Sequence, residues 1–433
     1  MKNIEIVKKL YPFNYSIAGK GNNKAIKEFL SYLPFKIYSF KSQSEINGWR
    51  IPKSFEVIKA NLIQNGKLIY DGKLSPLGVP INSSSFNGKV SFNTLKKHIY
   101  YSDILKDAIP YNWTGLYRPN KNQWGFCMPK KEFLKLKKGI YKVEIKTKEE
   151  KFPMKVLEYT LKGETNKTII INAHNCHAYQ ANDDISGCAV GIKILKELKK
   201  IKRRRYTYKL IIAPELTGTI FWLSKQKSDD IKYAILLKSI GNNNTIKLQK
   251  SYNGKTNLDY IAVKRIRKKF KKYKIGNFRE IYGNDETVFD SPGYNIPTIS
   301  ITRYPFKEYH TNLDTPKILS EKKMVEIEKY ILEIIKDLES EQRDNYNLKV
   351  NFKGLISLSN PKYNLYLNAE SPGVDKEKYN INKRKWNLLM NCLPNDIESN
   401  LSIKEISKKY NLPLKKIKTY CNKWIKKKLI KIA

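Results

Sequence analysis

From about residue 140 onward, apolar runs of strand length alternate with segments whose apolar residues recur every three or four positions. The runs YKVEIKT, MKVLEYTLKG, KTIIINA, YTYKLIIA and PTISIT predict strands, and the intervening segments predict helices. Strands and helices that follow each other in this way are typical of an α/β fold. We therefore expect a mixed sheet flanked by helices.

Two of the predicted helices show a clear apolar face. The segment ISGCAVGIKILKELKK has one at Ala189, Ile192, Leu195 and Leu198. The segment LSEKKMVEIEKYILEIIKDLES has one at Met324, Ile327, Ile331, Ile334 and Leu338. Both faces are predicted to pack against the core.

The pattern changes along the chain in a way that divides it into domains. Residues 47–130 contain short strand-like runs interrupted by Gly, Pro, Ser and Asn, which indicates an inserted β-rich domain. Residues 1–46 and 131–345 then form a discontinuous α/β core. Residues 346–375, rich in Asn, Pro and Tyr, are expected to connect this core to a last domain at 376–433.

The last domain resembles a winged helix. Ser402 and Glu405 have the spacing of a capping box at the start of a helix, and Asn411 marks its end. A second helix follows, with Leu414, Ile417, Cys421 and Trp424 on one face, and then a short strand.

Composition narrows the function classes. The formal net charge is +43, which is typical of nucleic-acid-binding proteins, but 72 of the 83 basic residues are lysine and only 11 are arginine. The lysines are spread over the whole length, and the predicted recognition helix lacks an arginine cluster. We therefore expect no specific nucleic-acid partner, and we expect the charge to favour only non-specific contact with polyanions.

The sequence shows no membrane or disulfide signature. It has no apolar run of about 18 residues and no signal-peptide pattern at the start. Its five cysteines are scattered and form no CxxC pair, so we expect a reduced, cytoplasmic protein without a membrane partner. Homo-oligomerisation is left open.

Polar residues with ligand chemistry follow several predicted strands. Only four histidines occur, and two of them lie in the stretch AHNCHAYQANDDISG. Sites in α/β sheets form at the carboxyl ends of strands. The metal-ligand candidates at such ends are His174, His177, Asp183, Glu215, Asp285 and His310.

Imidazoles and carboxylates in this combination are zinc ligands. Three carboxylates would balance two zinc ions that share a hydroxide. Two zinc ions roughly 3.5–4 Å apart would lower the pKa of a bound water to about 7 and polarise a carbonyl, which is amide-hydrolysis chemistry. One or two zinc ions per chain are expected.

These motifs resemble the co-catalytic zinc aminopeptidases, the family of bacterial leucyl aminopeptidase and aminopeptidase Y, with glutaminyl cyclase as a one-zinc relative. The family loop N-D-N-x-S-G is matched at 182–187, and the final Y-H-T-x-x-D at 309–314. The resemblance implies a zinc-peptidase (phosphorylase/hydrolase-like) α/β fold. It also implies that Asp183 bridges two metals and that Glu215 and Asp285 are ligands.

One bacterial branch of the family, which carries an inserted β-domain and a C-terminal winged helix, is more similar still. Its motifs GWxxP, DAIPY, WGFC, APExxGS, SPGxxxP and EYHT find counterparts, in order, at Gly48-Trp49, Asp107–Tyr111, Trp124–Cys127, Ala213–Glu215, Ser291–Gly293 and Glu308–Thr311.

Three departures from the family pattern affect the assignment of roles. The family has two adjacent glutamates, whereas this chain has Pro214-Glu215. The general base is therefore predicted to be Glu215 or Glu286. Asp184 replaces an Asn, and Ala178 replaces the Pro after His177. His174 and His177 compete for one ligand position, and both are kept.

The remaining candidates support the site from outside the ligand set. Asp184 is expected beside the metals or as a helix cap. Asp314 is expected to orient His310 or to cap the next helix. Tyr117, Arg118 and Trp124 are expected either to line the substrate cleft or to pack in the inserted domain.

Three functions are compatible with this sequence. The first is a zinc-dependent aminopeptidase that acts on a peptide or another amide-bearing substrate. The second is a non-peptidase or degenerate member of the family, which acts in cell-surface polysaccharide biosynthesis or as a binding module. The third is a nucleic-acid-binding regulator that acts through the winged helix.

Overall fold

The computed structural model describes residues 1–114, 123–344, 347–367 and 381–432, without the side chains of 341–344 and 381–384. The helices are α1 (Asn3–Leu10), α2 (Lys20–Tyr32), α3 (Phe92–Leu95), α4 (Lys130–Phe133), α5 (Ser186–Lys199), α6 (Thr217–Leu223), α7 (Asn257–Lys269), α8 (Glu286–Phe289), α9 (Glu321–Asp344), α10 (Ile381–Glu398), α11 (Ile403–Tyr410) and α12 (Leu414–Lys426).

The strands are β1 (Lys36–Phe40), β2 (Glu45–Ile46), β3 (Trp49–Arg50), β4 (Ser54–Gln64), β5 (Lys67–Asp71), β6 (Phe86–Ser91), β7 (Ile99–Tyr100), β8 (Phe126–Cys127), β9 (Ile140–Glu150), β10 (Met154–Leu161), β11 (Thr168–His174), β12 (Thr207–Ala213), β13 (Ile231–Lys238), β14 (Ile246–Gln249), β15 (Tyr273–Gly276), β16 (Thr298–Thr302), β17 (Leu348–Val350) and β18 (Ile430–Ile432). Chain contacts divide the molecule into two compact units, residues 1–335 and 336–433.

The first unit is built on an eight-stranded mixed sheet of order β1-β10-β12-β11-β13-β16-β14-β15. The four strands β12, β11, β13 and β16 run parallel at its centre, and antiparallel pairings join them to β10 on one side and β14 on the other. This sheet, flanked by helices, confirms the predicted α/β class.

Burial explains why the central strands are almost continuously apolar. Every residue of β11 is buried, as expected for a parallel strand covered on both faces. Helix α5 follows β11, and its predicted apolar face is buried, with Ala189, Ile192 and Leu195 fully inaccessible. The predicted face of α9 is buried in the same way, from Met324 to Leu338. The helical period therefore identified the buried faces correctly.

A second sheet of four strands, in the order β5-β4-β9-β6, forms the β-rich part of the first unit. Its core includes Leu62, Trp124, Phe126, Tyr141 and Val143. Strand β9 was predicted as a strand, but it pairs with β4 and β6 and not with the large sheet. The small sheet therefore takes residues from both sides of the boundary proposed at residue 130.

The second unit contains α10, α11 and α12 and the antiparallel pair β17–β18. Its core is apolar and aromatic and includes Leu389, Ile406, Tyr420 and Trp424. The pairing of β17 with β18 brings the start of the predicted connector into this unit. The assignment of this unit as a winged helix and the division of the whole chain into domains stay predictions.

The capping box at the start of α11 is formed as the sequence predicts. Ser402 Oγ accepts the backbone N–H of Glu405 at 3.3 Å, and a Glu405 side-chain oxygen accepts the N–H of Ser402 at 2.8 Å. Asn411 ends the helix in the left-handed conformation, with φ of 49°. Local sequence signals therefore set both ends of this helix.

Among the described helices, none combines the length and the apolar character that a membrane crossing requires.

We expect Ser402→Ala to destabilise the start of α11 by about 1 kcal/mol, because the N–H of Glu405 loses its acceptor. Hydrogen exchange of α11 peptides in the intact chain should therefore quicken about fivefold. Thr419→Ala, on the exposed side of α12, serves as the control and should leave α11 unchanged. Equal exchange in wild type and Ser402→Ala would contradict the capping role.

Candidate metal centre

The site lies at the carboxyl ends of the parallel strands. β11 ends at His174, β13 ends at Lys238, and Glu215 follows the last residue of β12 by two positions. His310 lies in the loop that follows β16. Because these strands are neighbours with the same direction, their ends meet at one edge of the sheet.

The carboxylate of Asp183 is the point on which these loops converge. Its Oδ1 lies 2.5 Å from Lys238 Nζ and 3.4 Å from His174 Nε2. Its Oδ2 lies 3.6 Å from His177 Nε2 and 3.4 Å from His310 Nε2. Asp183, His174 and Lys238 are fully buried, and the side chain of His310 is 24% exposed. One carboxylate thus faces three imidazoles and one ammonium group.

Two groups of side chains in the described residues have the ligand atoms to hold a metal ion. One consists of His177, Asp183 and His310, and the other consists of His174, Cys176 and Glu215. Within each group the ligand atoms lie within 4.8 Å of one another. Both histidines that the sequence left in competition are therefore present, in different groups.

The first group fits a zinc ion. His177 Nε2 and Asp183 Oδ2 are buried atoms without a hydrogen-bond partner, although buried polar atoms are normally paired. His177 Nδ1 lies 2.9 Å from the carbonyl oxygen of Ala178, which only accepts, so in the neutral ring Nδ1 carries the proton and Nε2 has the lone pair. Two imidazoles and one carboxylate are a donor set that zinc uses in catalytic sites.

Lys238 lies inside the second group. Its Nζ is 2.9 Å from His174 Nε2 and 3.8 Å from Glu215 Oε2, in addition to its ion pair with Asp183. The rings of Tyr282 and Tyr309 lie 5.0 and 5.9 Å from the same Nζ. Two of the three side chains in the second group, His174 and Glu215, therefore already face an ammonium group of the protein itself.

The electrostatics of the site follow from burial and from this lysine. Burial disfavours the charge on Asp183, but Lys238 and the histidines outweigh it and hold the pKa of Asp183 well below its usual range. Burial also opposes the charge on Lys238. The negative charges of Asp183 and Glu215 outweigh this effect, so the pKa of Lys238 is raised. Burial lowers the pKa of His174 and of His310, which favours the neutral, metal-binding form of both rings.

Asp314 supports the backbone that carries Asp183. Its Oδ1 accepts the N–H of Asn182 at 2.7 Å, and its Oδ2 accepts the N–H of Asp183 at 3.0 Å. Burial raises the pKa of Asp314 well above its usual range. The sequence predicts that Asp314 orients His310 or caps the next helix, but the side-chain hydrogen bonds described for Asp314 are with the 182–183 backbone.

Asp184 joins three segments at the back of the site. Its Oδ2 accepts the N–H of His174 at 3.3 Å, and its Oδ1 accepts the N–H groups of Gly187 and Ser239, each at 3.2 Å. A Cβ on Gly187 would lie 2.4 Å from Asp184 Oδ1, so this close approach requires glycine. Asp184 therefore ties the end of β11, the start of α5 and the loop after β13 together.

The remaining predicted carboxylates differ in their surroundings. The amide nitrogen of Asn284 donates to Glu215, whose side chain is 27% exposed. Asp285 Oδ1 accepts the N–H of Leu216 at 2.5 Å, and burial together with Glu215 raises the pKa of Asp285 to about 8. Glu286 is fully buried, and burial raises its pKa to about 7.

The roles predicted for Asp285 as a ligand and for Glu286 as a base stay predictions. Among the described residues, neither ligand group includes Asp285 or Glu286. Both oxygens of Glu286 accept the N–H of Asn284 at 2.9 Å, and one also accepts from Gln249 at 3.2 Å. These contacts make Glu286 a support of the loop that carries Asn284 and Asp285.

Aromatic residues from the 107–113 segment form one wall of the site. The ring of Tyr111 stacks on His177 with centroids 4.6 Å apart, and Trp113 meets His310 edge-on at 6.3 Å. The backbone N–H of Tyr111 donates to the carbonyl of His310 at 2.7 Å. Trp113 is 43% exposed, so this wall faces solvent.

Of the three predicted substrate-binding residues, Tyr117, Arg118 and Trp124, the structure describes only Trp124. Trp124 is buried in the core of the small sheet, stacked on His98 and Phe86 at centroid distances of 3.9 and 4.2 Å. It therefore packs in the inserted region and does not line a cleft. Tyr117 and Arg118 lie outside the described residues.

Several site residues adopt left-handed backbone conformations that non-glycine residues rarely take. The φ angles are 56° at Leu216, 51° at Ser239 and 55° at His310. Leu216 follows Glu215, and Ser239 follows Lys238. Such conformations concentrate at functional sites, where the surrounding structure holds them in place. The peptide bond between Asp183 and Asp184 is cis.

Sequence reasoning missed three members of this site. Lys238 was overlooked because strand β13 was not predicted, although the run YAILL directly before Lys238 is an apolar strand signal. Cys176 stands out in the sequence only as one of five scattered cysteines. Tyr111 was noted only as part of the DAIPY motif, and its contact with His177 depends on tertiary structure.

Solved structures show where this fold occurs among known proteins. BSAP, a zinc aminopeptidase from Bacillus subtilis, superimposes with a TM-score of 0.59 at 12% identity, over 78% of this chain and 94% of that chain. A "putative peptidase" from Clostridium acetobutylicum superimposes with a TM-score of 0.72 at 24% identity, over 100% of this chain and 96% of that chain. The protein therefore has a zinc aminopeptidase-like fold, and its ligand groups suggest zinc as the cofactor.

The chain belongs to the family described as a domain of unknown function (DUF4910), which matches residues 4–341. A curated relative from Clostridium acetobutylicum is 30% identical over 341 residues, which are 77% of each chain. It carries the name "Putative polysaccharide biosynthesis protein with aminopeptidase-like domain".

We expect Asp314→Asn to weaken zinc binding by about 10–100-fold, because the amide can no longer accept both N–H groups that hold Asp183 in place. Competition against a chromophoric chelator measures this affinity. Asp290→Asn is the matched control, since Asp290 also accepts two backbone N–H groups, from Tyr252 and Thr298, but belongs to neither ligand group. Equal zinc affinity in wild type and Asp314→Asn would refute the supporting role.

Proposed function

We propose that the protein is a zinc-dependent hydrolase of amide bonds with an aminopeptidase-type site. One observation carries the proposal. Two imidazole nitrogens, from His177 and His310, face the same oxygen of the buried Asp183 carboxylate at 3.6 and 3.4 Å. A carboxylate and two neutral imidazoles in this arrangement satisfy the ligand chemistry of zinc and leave coordination positions for a substrate.

In this proposal His177, Asp183 and His310 hold the zinc ion. When bound, the ion supplies Lewis acidity, which activates water for attack and polarises the carbonyl of the scissile amide. Asp314 and Asp184 keep the loop of Asp183 in position through the backbone hydrogen bonds described above. The stack of Tyr111 on His177 fixes the orientation of that ring.

Glu215 is the proposed proton acceptor and donor. Its side chain is partly exposed, so it reaches both the buried ligands and the solvent side from which a substrate arrives. The Asn284 amide orients one of its oxygens, and Lys238 lies 3.8 Å from the other. Glu286 is fully buried and its oxygens are taken by the Asn284 backbone, so it is less suited to proton transfer.

The substrate is proposed to approach along the exposed aromatic wall. Trp113 and the partly exposed His310 border the open side of the site, and an aromatic surface of this kind binds apolar side chains or the faces of sugar rings. The aminopeptidase-like fold makes a peptide amide the first choice of substrate.

The name of the curated relative favours a second candidate, the hydrolysis of an amide group on a sugar during polysaccharide assembly. Both candidates use the same metal and the same base, and they differ in what the aromatic wall receives. Assay of the zinc-loaded protein against aminoacyl amides, dipeptides and N-acylated amino sugars separates them. Cleavage of only the N-acylated sugars would favour the second candidate.

We expect Asp183→Asn to lose zinc and more than 99% of the hydrolytic activity, because the neutral amide cannot replace the central carboxylate. Chelation of zinc from the wild type should abolish activity, and return of zinc should restore it. Metal analysis and far-UV circular dichroism accompany each assay, with Asp290→Asn as the control that keeps both zinc and activity. Full activity of Asp183→Asn, or of the chelated wild type, would overturn the proposal.

Glu215 and Glu286 can be distinguished by a matched pair of variants. Glu215→Gln should lower kcat by about 10²–10⁴-fold while zinc stays bound, because the proton acceptor is removed. Glu286→Gln keeps an acceptor for the Asn284 N–H and should change kcat by less than about threefold. The opposite order of effects would assign the base to Glu286.

A further inference from the structure

The ammonium group of Lys238 lies among the atoms that would hold a second metal ion. It is 2.9 Å from His174 Nε2, 2.5 Å from Asp183 Oδ1 and 3.8 Å from Glu215 Oε2. The side chain is fully buried. Lys238 ends strand β13, in the interior of the large sheet, where it pairs with Thr302 of β16.

A zinc ion and this ammonium group would compete for the same ligand atoms. A zinc ion must approach nitrogen and oxygen ligands to about 2.0–2.2 Å. The lone pair of His174 Nε2 already accepts a hydrogen bond from Lys238, and Asp183 Oδ1 already pairs with the same nitrogen. A zinc ion bound to these atoms and the ammonium group of Lys238 would also repel each other strongly, because both are positive and the site is buried.

We propose that Lys238 takes the place of a second metal ion, so that each chain binds one zinc ion, at His177, Asp183 and His310. This inference rests on the proposed zinc hydrolase function and defines its metal count. The Asp183 carboxylate then joins a zinc ion on its Oδ2 side to a fixed protein cation on its Oδ1 side.

The departure of this sequence from the paired glutamates becomes understandable on this basis. A site with two metals needs one glutamate as a ligand and another as a base. With an ammonium group in the second position, no metal ion there requires a carboxylate. The single glutamate, Glu215, then only pairs loosely with Lys238 and stays available for proton transfer.

The test counts metal ions in the intact chain. Apo protein is equilibrated with excess zinc chloride, freed of unbound metal by gel filtration and analysed for zinc per chain. The wild type should bind one zinc ion. Lys238→Ala should bind two, because the truncation frees three ligand atoms, on His174, Asp183 and Glu215. Lys209→Ala is the matched control and should bind one, since Lys209 pairs with Glu158 on the same sheet, outside both ligand groups.

Single-site variants locate the ion even if Lys238→Ala fails to fold. His177→Ala should lose the zinc ion, and His174→Ala should keep it. Replacement of zinc by cobalt gives a second readout, because a ligand from Cys176 would produce a thiolate charge-transfer absorption. The wild type should lack this absorption.

The outcomes separate this inference from the proposed function. Two zinc ions in the wild type, or a thiolate absorption in its cobalt form, would overturn the role of Lys238 and leave the hydrolase proposal standing. A folded Lys238→Ala that still binds one zinc ion would also overturn it. No zinc in the wild type under excess metal would overturn both.

Discussion

The buried carboxylate of Asp183 is the interaction on which the site depends. An uncompensated charge in the interior is very unfavourable, so this carboxylate must be surrounded by partners. Lys238 and three histidines provide them, from three segments: the end of β11 with the loop after it, the end of β13 and the loop after β16. Asp314 accepts two further hydrogen bonds, from the backbone N–H groups of Asn182 and Asp183. Electrostatic compensation thus fixes the relative positions of loops that are far apart in the sequence.

Strand direction makes this convergence achievable. Because β11, β12, β13 and β16 are parallel neighbours, the segments after them emerge at one edge of the sheet. Asp184 connects three of these segments through backbone N–H groups, and Gly187 allows its close approach. The 107–113 segment then closes one side of the site by stacking Tyr111 on His177. The sheet supplies the position, and the loops supply the chemistry.

This chain places a lysine at the end of a central strand, beside the candidate metal ligands. An ammonium group and a metal ion both neutralise carboxylates, but only the metal accepts lone pairs from ligands and substrate. In the group of His177, Asp183 and His310, two buried ligand atoms have no hydrogen-bond partner. In the other group, His174 already accepts a hydrogen bond from Lys238. The first group supports the proposed zinc-dependent hydrolase, and the second supports the proposal that Lys238 replaces a second metal ion.

The sequence by itself determined the α/β class, the buried faces of α5 and α9 and the capping box of α11. It also determined which segments carry the site candidates His174, His177, Asp183, Glu215 and His310. Hydrophobic period, capping and strand-end chemistry are local signals, so a linear pattern contains them. Only the tertiary structure decided that β9 joins the small sheet, that Asp314 holds the 182–183 backbone, that Glu286 is a buried support and that Lys238 faces Asp183. Each of these depends on which strands become neighbours and on how far charges lie from one another. Asp314, for example, lies 131 positions from Asp183, and a local pattern does not encode contacts between residues so far apart in the chain.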